Sequence, residues 1–317
     1  MLITFLEARV PLTKKFTASS KEPYPNAFEF KSHIHTVRDL QHFTDLISEH
    51  AKLGHCLLKG EVDKPIEWES RANRTNPHQY TKWMCLDIDG LRSVPDINAF
   101  MFRIGLGKVS YILQWSASYG VNGNFTLRAH VMVQLTELTS PAAIKSWLKQ
   151  LNLTAFQSDL ELTKTSVALR WGLDITTCQN DKLIFITPPV CTPASLDQFT
   201  GTRIALVQQQ LDAFDFNTVT LMSAEQLKTL EEAEINRLRR AANLPDRKPS
   251  QFKTKDYKGH TYLPNPDQAT VTGIKEERGF VYLNLNGGDS WGYYHSVDNP
   301  TFIHNFKGEP DYRTSEL

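Results

Sequence analysis

Tyr80-Thr81-Lys82-Trp83-Met84-Cys85-Leu86-Asp87-Ile88-Asp89-Gly90 is the stretch on which the fold turns. Its alternation of apolar and polar residues is that of a β-strand. In a strand, residues i and i+2 project from the same face. Asp87 and Asp89 therefore point together, while Leu86 and Ile88 point into a core. Two adjacent carboxylates repel each other, and they persist where a cation lies between them or one is protonated. A strand that ends in a turn glycine, with two acids on its open face, is half of a Mg²⁺ or Mn²⁺ site. The plainer alternative is a pair of solvated acids beginning a turn.

Outward from this strand, the chain alternates strands and helices. Thr36 opens a helix, with Asp39 three residues later and Val37, Leu40, Phe43, Ile47 and Ala51 at helical spacing, closed by Gly54. Strands are expected at 55–59, 109–115, 126–135 and 182–188. Asp96 caps a short helix that stops at Gly105, and Ser140-Pro141 opens another with Ile144, Trp147, Leu148 and Leu151 as its buried stripe. Residues 13–32, polar and carrying Pro23 and Pro25, read as a loop. Ser223-x-x-Gln226 is a capping box for a long charged helix reaching about Asn243. The residues after Gly279 read as short strands and turns. A boundary falls near 200–215, and the first part is α/β or α+β.

The chain has 317 residues, about two domains at ~150 residues each. Its 35 basic and 35 acidic residues cancel. That excludes a basic whole chain but not a basic patch. From Arg237 to Lys258, eight Lys/Arg and two Asp leave a net charge of +6. No apolar run approaches the ~18–20 residues of a membrane span. The start, Met1–Arg9, meets a charge too soon for a signal peptide. Cys56, Cys85, Cys178 and Cys191 form no C-x-x-C pair, which disfavours structural zinc and suits a reducing cytosol.

Two further segments carry chemistry. In Leu127-Arg128-Ala129-His130-Val131-Met132-Val133, Arg128 and His130 share one strand face and suit a phosphate, although a core histidine satisfied by a carbonyl has the same appearance. The loop Ser116-Ala117-Ser118-Tyr119-Gly120-Val121-Asn122-Gly123 precedes it and offers hydroxyls and backbone N–H groups. Arg170-Trp171-Gly172-Leu173-Asp174 brings a third acid, and Lys182 begins the next strand. Three carboxylates can hold two divalent metals across a phosphoryl transfer.

In this order the segments resemble the archaeo-eukaryotic primase superfamily, in its phage and plasmid primase-polymerase branch, over about residues 54–189. Asp87 and Asp89 match its Asp-x-Asp motif, and Leu173-Asp174 its acid after an apolar residue. His130 matches its Ser-x-His signature, whose serine is Arg128 here. Ser116 and Ser118 belong to a loop like that of phage members. The resemblance implies an α+β fold with an RRM-like sheet in a catalytic domain at 1–205. A basic helical linker at 206–260 and a small accessory region at 261–317 would follow. It implies that Asp87, Asp89 and Asp174 bind two Mg²⁺ or Mn²⁺ ions, and that His130 meets the incoming dNTP or NTP with Ser116, Ser118, Arg128 and Lys182 near it. Single-stranded DNA template and primer are the partners implied, with Arg71, Arg74, Lys82 and Trp83 and the basic run as candidate contacts. The stretch from Gly287 to His295, with Asn299-Pro300 and Asn305–Pro310, looks like the linker of phage replication proteins. No P-loop follows, so either the N-terminal part of a longer primase-helicase or a complete short protein is expected, with a fused or separate helicase as partner, in a bacterial host cytoplasm.

Three other readings remain. A haloacid-dehalogenase-type phosphatase also uses Asp-x-Asp-Gly, but usually near the N-terminus and not followed by a residue such as Leu91. A rolling-circle nuclease carries paired histidines like His33-Ile34-His35, on a strand after an acid-bearing strand, with a tyrosine on a later helix; here the histidines directly precede the Thr36 cap and Tyr80 lies in a strand, so the spacing argues against it. The third is a non-catalytic module that binds single strands.

Overall fold

A computed structural model describes residues 1–247 and, beyond them, the strands and one turn between positions 255 and 313 named below. It is a mixed α+β structure with antiparallel sheets and four α-helices among the described residues. In chain order the elements of the first unit are β1 (Leu2–Ala8), β2 (Lys15–Thr17), β3 (Lys21–Glu22), β4 (Phe30–Thr36), α1 (Leu40–Lys52), β5 (Cys56–Leu58), β6 (Glu67–Glu69) and β7 (Thr81–Leu91). There follow α2 (Ile97–Arg103), β8 (Tyr111–Trp115), β9 (Leu127–Thr139), α3 (Pro141–Thr154), β10 (Glu161–Leu162) and β11 (Leu169–Arg170). The last are β12 (Leu183–Phe185), β13 (Val190–Thr192), β14 (Ile204–Val207) and α4 (Ala224–Ala241).

Two sheets carry this unit. The first has the order β12-β5-β1-β4-β6 and the second β14-β8-β9-β7, each antiparallel throughout. Because β9 is antiparallel to both its neighbours, β7 and β8 run parallel with β9 between them. That is a split β-α-β arrangement in which α2 makes the crossover. On the far side of β7, the Asp89 N–H donates to the Gly172 carbonyl and the Asp174 N–H to the Asp87 carbonyl. Residues 172–174 thereby extend the sheet beyond β7.

The second sheet is buried on both faces. Met84, Leu86, Ile88, Leu113, Ala129, Val131 and Val133 form one face, packed on Phe100, Ile144, Leu148 and Leu151 of α2 and α3. The opposite face gives Trp83, Cys85, Ile112 and Met132 to a core shared with α1 and with Ile3, Phe5 and Leu57 of the first sheet. Each such large apolar side chain, removed from water, contributes about 1.5–3 kcal/mol. This second layer covers β7 only as far as Cys85. Beyond that, the same face carries Asp87, half-buried, and Asp89, exposed. Gly90, at φ 88°, takes the bulge between Asp89 and Leu91 where pairing with β9 shifts.

Several expectations are corrected. Thr36 does not open α1; it closes β4, paired with Leu2, and Asp39 is the N-cap, accepting from the His42 N–H at 2.7 Å. Residues 13–32 are not all loop, since they hold β2, β3 and the start of β4. His33 and His35 lie in β4, next to the acid-bearing β1, rather than just ahead of a helix cap. No described helix carries a tyrosine, so the nuclease pattern remains incomplete. The chain divides at Pro245/Asp246 rather than near 205. The reason is that β14 pairs with β8, while α4 packs Leu227 and Ile235 on Leu153, Leu160 and Leu169. The capping box at Ser223 and Gln226 is present.

In the second unit, β15 (Lys255–Tyr257) pairs with β16 (His260–Tyr262). A meander follows through β17 (Val271–Glu277), β18 (Phe280–Leu285), β19 (Tyr293–Ser296), β20 (Phe302–Asn305) and β21 (Tyr312–Arg313), with Gly279 in the turn before β18. Val281, Leu283 and His295 are buried within it. Positions 287–292, 299–300 and 306–310 of the linker-like stretch, and 248–254 and 258 of the basic run, lie outside the described residues. No helix among the described residues is long and apolar enough to cross a membrane.

Candidate functional site

Where β7 runs out from under the second layer, a cavity of about 1000 Å³ opens. Asp87, Asp89 and Asp174 line it, with Ser116, Ser118, Arg128 and His130. Strand register brings these groups together. Asp87 lies opposite His130, Asp89 opposite Arg128, and Gln114 opposite His130 on its other side. Directly opposed residues share a face, so both acids of β7 and both cation-capable side chains of β9 meet at the cavity.

His130 is held in one orientation. Gln114 Nε2 donates to the Trp115 carbonyl at 2.6 Å, which turns Gln114 Oε1 toward His130 Nδ1 at 2.5 Å. An amide oxygen only accepts, so Nδ1 carries a proton. Nε2 is then presented to Asp87, with Oδ1 at 3.4 Å. The serine loop is fixed from behind. Arg203 makes a double contact with Asp197 at 2.7 Å and donates to the carbonyls of Ser116 and Tyr119. Ser116 Oγ lies 3.0 Å from Ser118 Oγ.

Asp174 is placed by a splint outside the cavity. The side chain of Asn152, fully buried in α3, accepts from the Leu173 N–H at 3.0 Å and donates to the Leu173 carbonyl at 3.0 Å. Asp174 itself caps the 3₁₀ turn Ile175–Cys178, and Oδ1 accepts from the backbone and hydroxyl of Thr176. Burial alone would raise its pKa. The Lys182 ammonium, 2.7 Å from Oδ2, and the Thr176 N–H outweigh this and hold it below the usual carboxylate range. Lys182 thus sits on Asp174 and Thr176 and does not line the cavity.

Each acid is balanced by a basic group. Arg128 lies 3.5 Å and Arg170 3.4 Å from Asp89, which has the most open side chain of the three, at 52% exposed against 27% for Asp87 and 29% for Asp174. The donor set, three hard carboxylates, is that of Mg²⁺ or Mn²⁺. Their oxygens are not gathered within 4.8 Å of one another. Among the described residues, the group that meets this distance is Glu7, His33 and His55. The basic partners would have to turn aside for an ion, and Arg170, half-exposed, has the room to do so.

Sequence reasoning missed part of the cavity. Lys14, Lys21 and Tyr24 line it, from the segment read as a loop. Lys14 lies over the Tyr24 ring at 4.7 Å, and Tyr24 stacks on Phe185 at 3.9 Å. Burial, and then neighbouring Lys21, lower the Lys14 pKa against the pull of Asp89. Conversely, the template candidates stand apart from the cavity. Arg71 donates to the Asp181 carbonyl, Arg74 is tied to Asp63 and Glu69, and Lys82 is exposed at the start of β7. Trp83 is buried against Phe43. In the basic run, Arg237 pairs with Glu234, and Arg239 donates to the carbonyls of Ser166 and Pro245.

Compared with known proteins, the chain matches no family model, no curated protein and no solved structure.

Proposed function

We propose that the chain is a metal-dependent nucleotidyltransferase of the primase-polymerase kind, extending a DNA primer on a template from dNTP or NTP. One observation carries this reading. The Asp-x-Asp strand faces the His130 strand in register, Asp87 to His130 and Asp89 to Arg128, while backbone bonding sets Asp174 on the other side of β7. The order of sheet elements, with 172–174 beside β7, then β9, then β8, is also the split β-α-β order of an RRM-like sheet.

Divalent ions held by Asp87, Asp89 and Asp174 would supply charge neutralisation at the reacting phosphate and at the attacking 3′-hydroxyl. The chain's own residues do the positioning. His130, with Nδ1 tied to Gln114, turns Nε2 into the cavity to meet a nucleotide phosphate. Arg128, Arg170 and Lys14 surround the same cavity and suit a triphosphate tail. The Ser116–Ser118 turn adds hydroxyls on the nucleotide's flank. Catalysis of this kind rests on orientation and electrostatics and needs no strong side-chain base. The test is extension of a labelled primer-template with dNTPs or NTPs and Mg²⁺ or Mn²⁺. Template-dependent products support the reading. Retained single-strand binding without extension moves the chain to the non-catalytic alternative, and release of phosphate from phosphomonoesters to the phosphatase.

A further inference from the structure

A second cluster of ligating side chains lies in the first sheet, outside the acid cavity. Glu7 is the centre of it. On β1, residues Ile3, Phe5 and Glu7 share one face, and Phe5 lies opposite His33 of β4 and Leu57 of β5. Continuing that register one pair past β5 sets His55 beside Glu7. The turn before β5 makes this placement possible. Gly54, at φ 81°, and His55 close α1 by donating to the carbonyls of Ala51 and His50. These are the paired bonds of a Schellman turn. A Cβ on Gly54 would come within 2.7 Å of Pro11 Cβ, so only glycine fits.

From this arrangement we propose that Glu7, His33 and His55 bind a divalent transition-metal ion, zinc by the character of the donors. One ligand atom from each lies within 4.8 Å of the other two. Two imidazoles and one carboxylate are a borderline-soft donor set that favours Zn²⁺ over Mg²⁺ and leaves a fourth position for water or an exogenous ligand. The site is reachable, since the side chains of Glu7 and His33 are 32% and 30% exposed. It also has an orienting shell of the kind metal-bound histidines use. His55 Nδ1 lies 2.8 Å from His50 Nδ1, His50 Nε2 lies 3.0 Å from His35 Nε2, and the His50 ring stacks on Phe5 at 4.0 Å. The ion would tie β1, β4 and the α1–β5 turn together.

The test uses the full chain, stripped with chelator and titrated with Zn²⁺ by calorimetry. Wild type and the Asp87→Asn/Asp89→Asn variant should each bind one ion at this site. His33→Gln and Glu7→Gln, both at partly exposed positions, should weaken it by at least about tenfold. Zn²⁺ should raise the melting temperature of wild type but not of His33→Gln. Co²⁺ added to wild type should give the visible absorption of a low-symmetry N/O site, a readout independent of whether any variant folds. Absence of saturable zinc binding and of a cobalt spectrum overturns the proposal. So does binding that survives both His33→Gln and Glu7→Gln unchanged, or that vanishes with Asp87 and Asp89.

Discussion

Asn152 holds both backbone groups of Leu173. Its Oδ1 accepts from the Leu173 N–H and its Nδ2 donates to the Leu173 carbonyl, each at 3.0 Å, from a side chain with no solvent exposure. A helix on one face of the sheet thereby fixes the segment that carries Asp174. Asn152→Leu leaves a buried donor and acceptor unmatched. It is expected to cost about 2–4 kcal/mol in denaturant unfolding and to lower nucleotidyl transfer. Asn152→Asp keeps an acceptor for the Leu173 N–H but sets a buried carboxylate oxygen against the Leu148 and Leu173 carbonyls, so it should cost at least as much.

Gln114 is hydrogen-bonded to His130, and under the proposed function His130 touches substrate while Gln114 orients it. Losing a hydrogen bond to a charged phosphate costs about 1.5–3 kcal/mol. His130→Ala should therefore raise the nucleotide KM roughly 10- to 100-fold. Gln114→Leu should have a smaller effect of the same kind, and Gln114→Glu, which also accepts from Nδ1–H, should restore most of it. Steady-state kinetics that separate KM from kcat decide this. Gln114→Leu and Gln114→Glu acting alike would exclude an orienting role.

Lys59 is a buried cation, 1% exposed, that donates to the Thr81 hydroxyl at 3.0 Å and lies 4.5 Å over the Trp83 ring. Burial lowers its pKa from 10.5 to about 8. In the unfolded chain it stays protonated to about 10.5. Between these values the unfolded state binds more protons, so stability rises with pH. Relative to Lys59→Met, wild type should gain stability from pH 8 to pH 10.5 and show a constant difference below pH 7. Urea unfolding across that range measures it.

Much of the second sheet was legible in the sequence because its signals are local. The alternation in β7 and β9, the caps Asp96, Ser140 and Ser223, and the proline at position 141 each act within a few residues. Asp87, Asp89, His130 and Asp174 come to line one cavity. Of the first sheet, β5 and β12 were legible as the strands expected at 55–59 and 182–188, but β1, β4 and β6 were not. β1 is an apolar run without alternation, β4 is half-exposed and histidine-rich, and their pairing is set by contacts some 30 residues apart in the chain. The choice of Asp39 over Thr36 as cap follows from that pairing, which consumes Thr36. Lys14 and Tyr24 reach the cavity through the parallel pair of β2 and β13, spanning some 175 residues, and no local pattern carries that information. The same holds for residues 206–245, which join the first unit through β14 and α4.

The most direct measurement is primer extension by wild type against Asp87→Asn/Asp89→Asn, with folding of both checked by circular dichroism and melting temperature. Asp89 is exposed and Asp87 half-buried, so the double exchange should melt close to wild type. Wild type should show template-dependent extension that requires Mg²⁺ or Mn²⁺, reduced at least about 10²–10³-fold in the variant. Extension by the folded variant at the wild-type rate would contradict it.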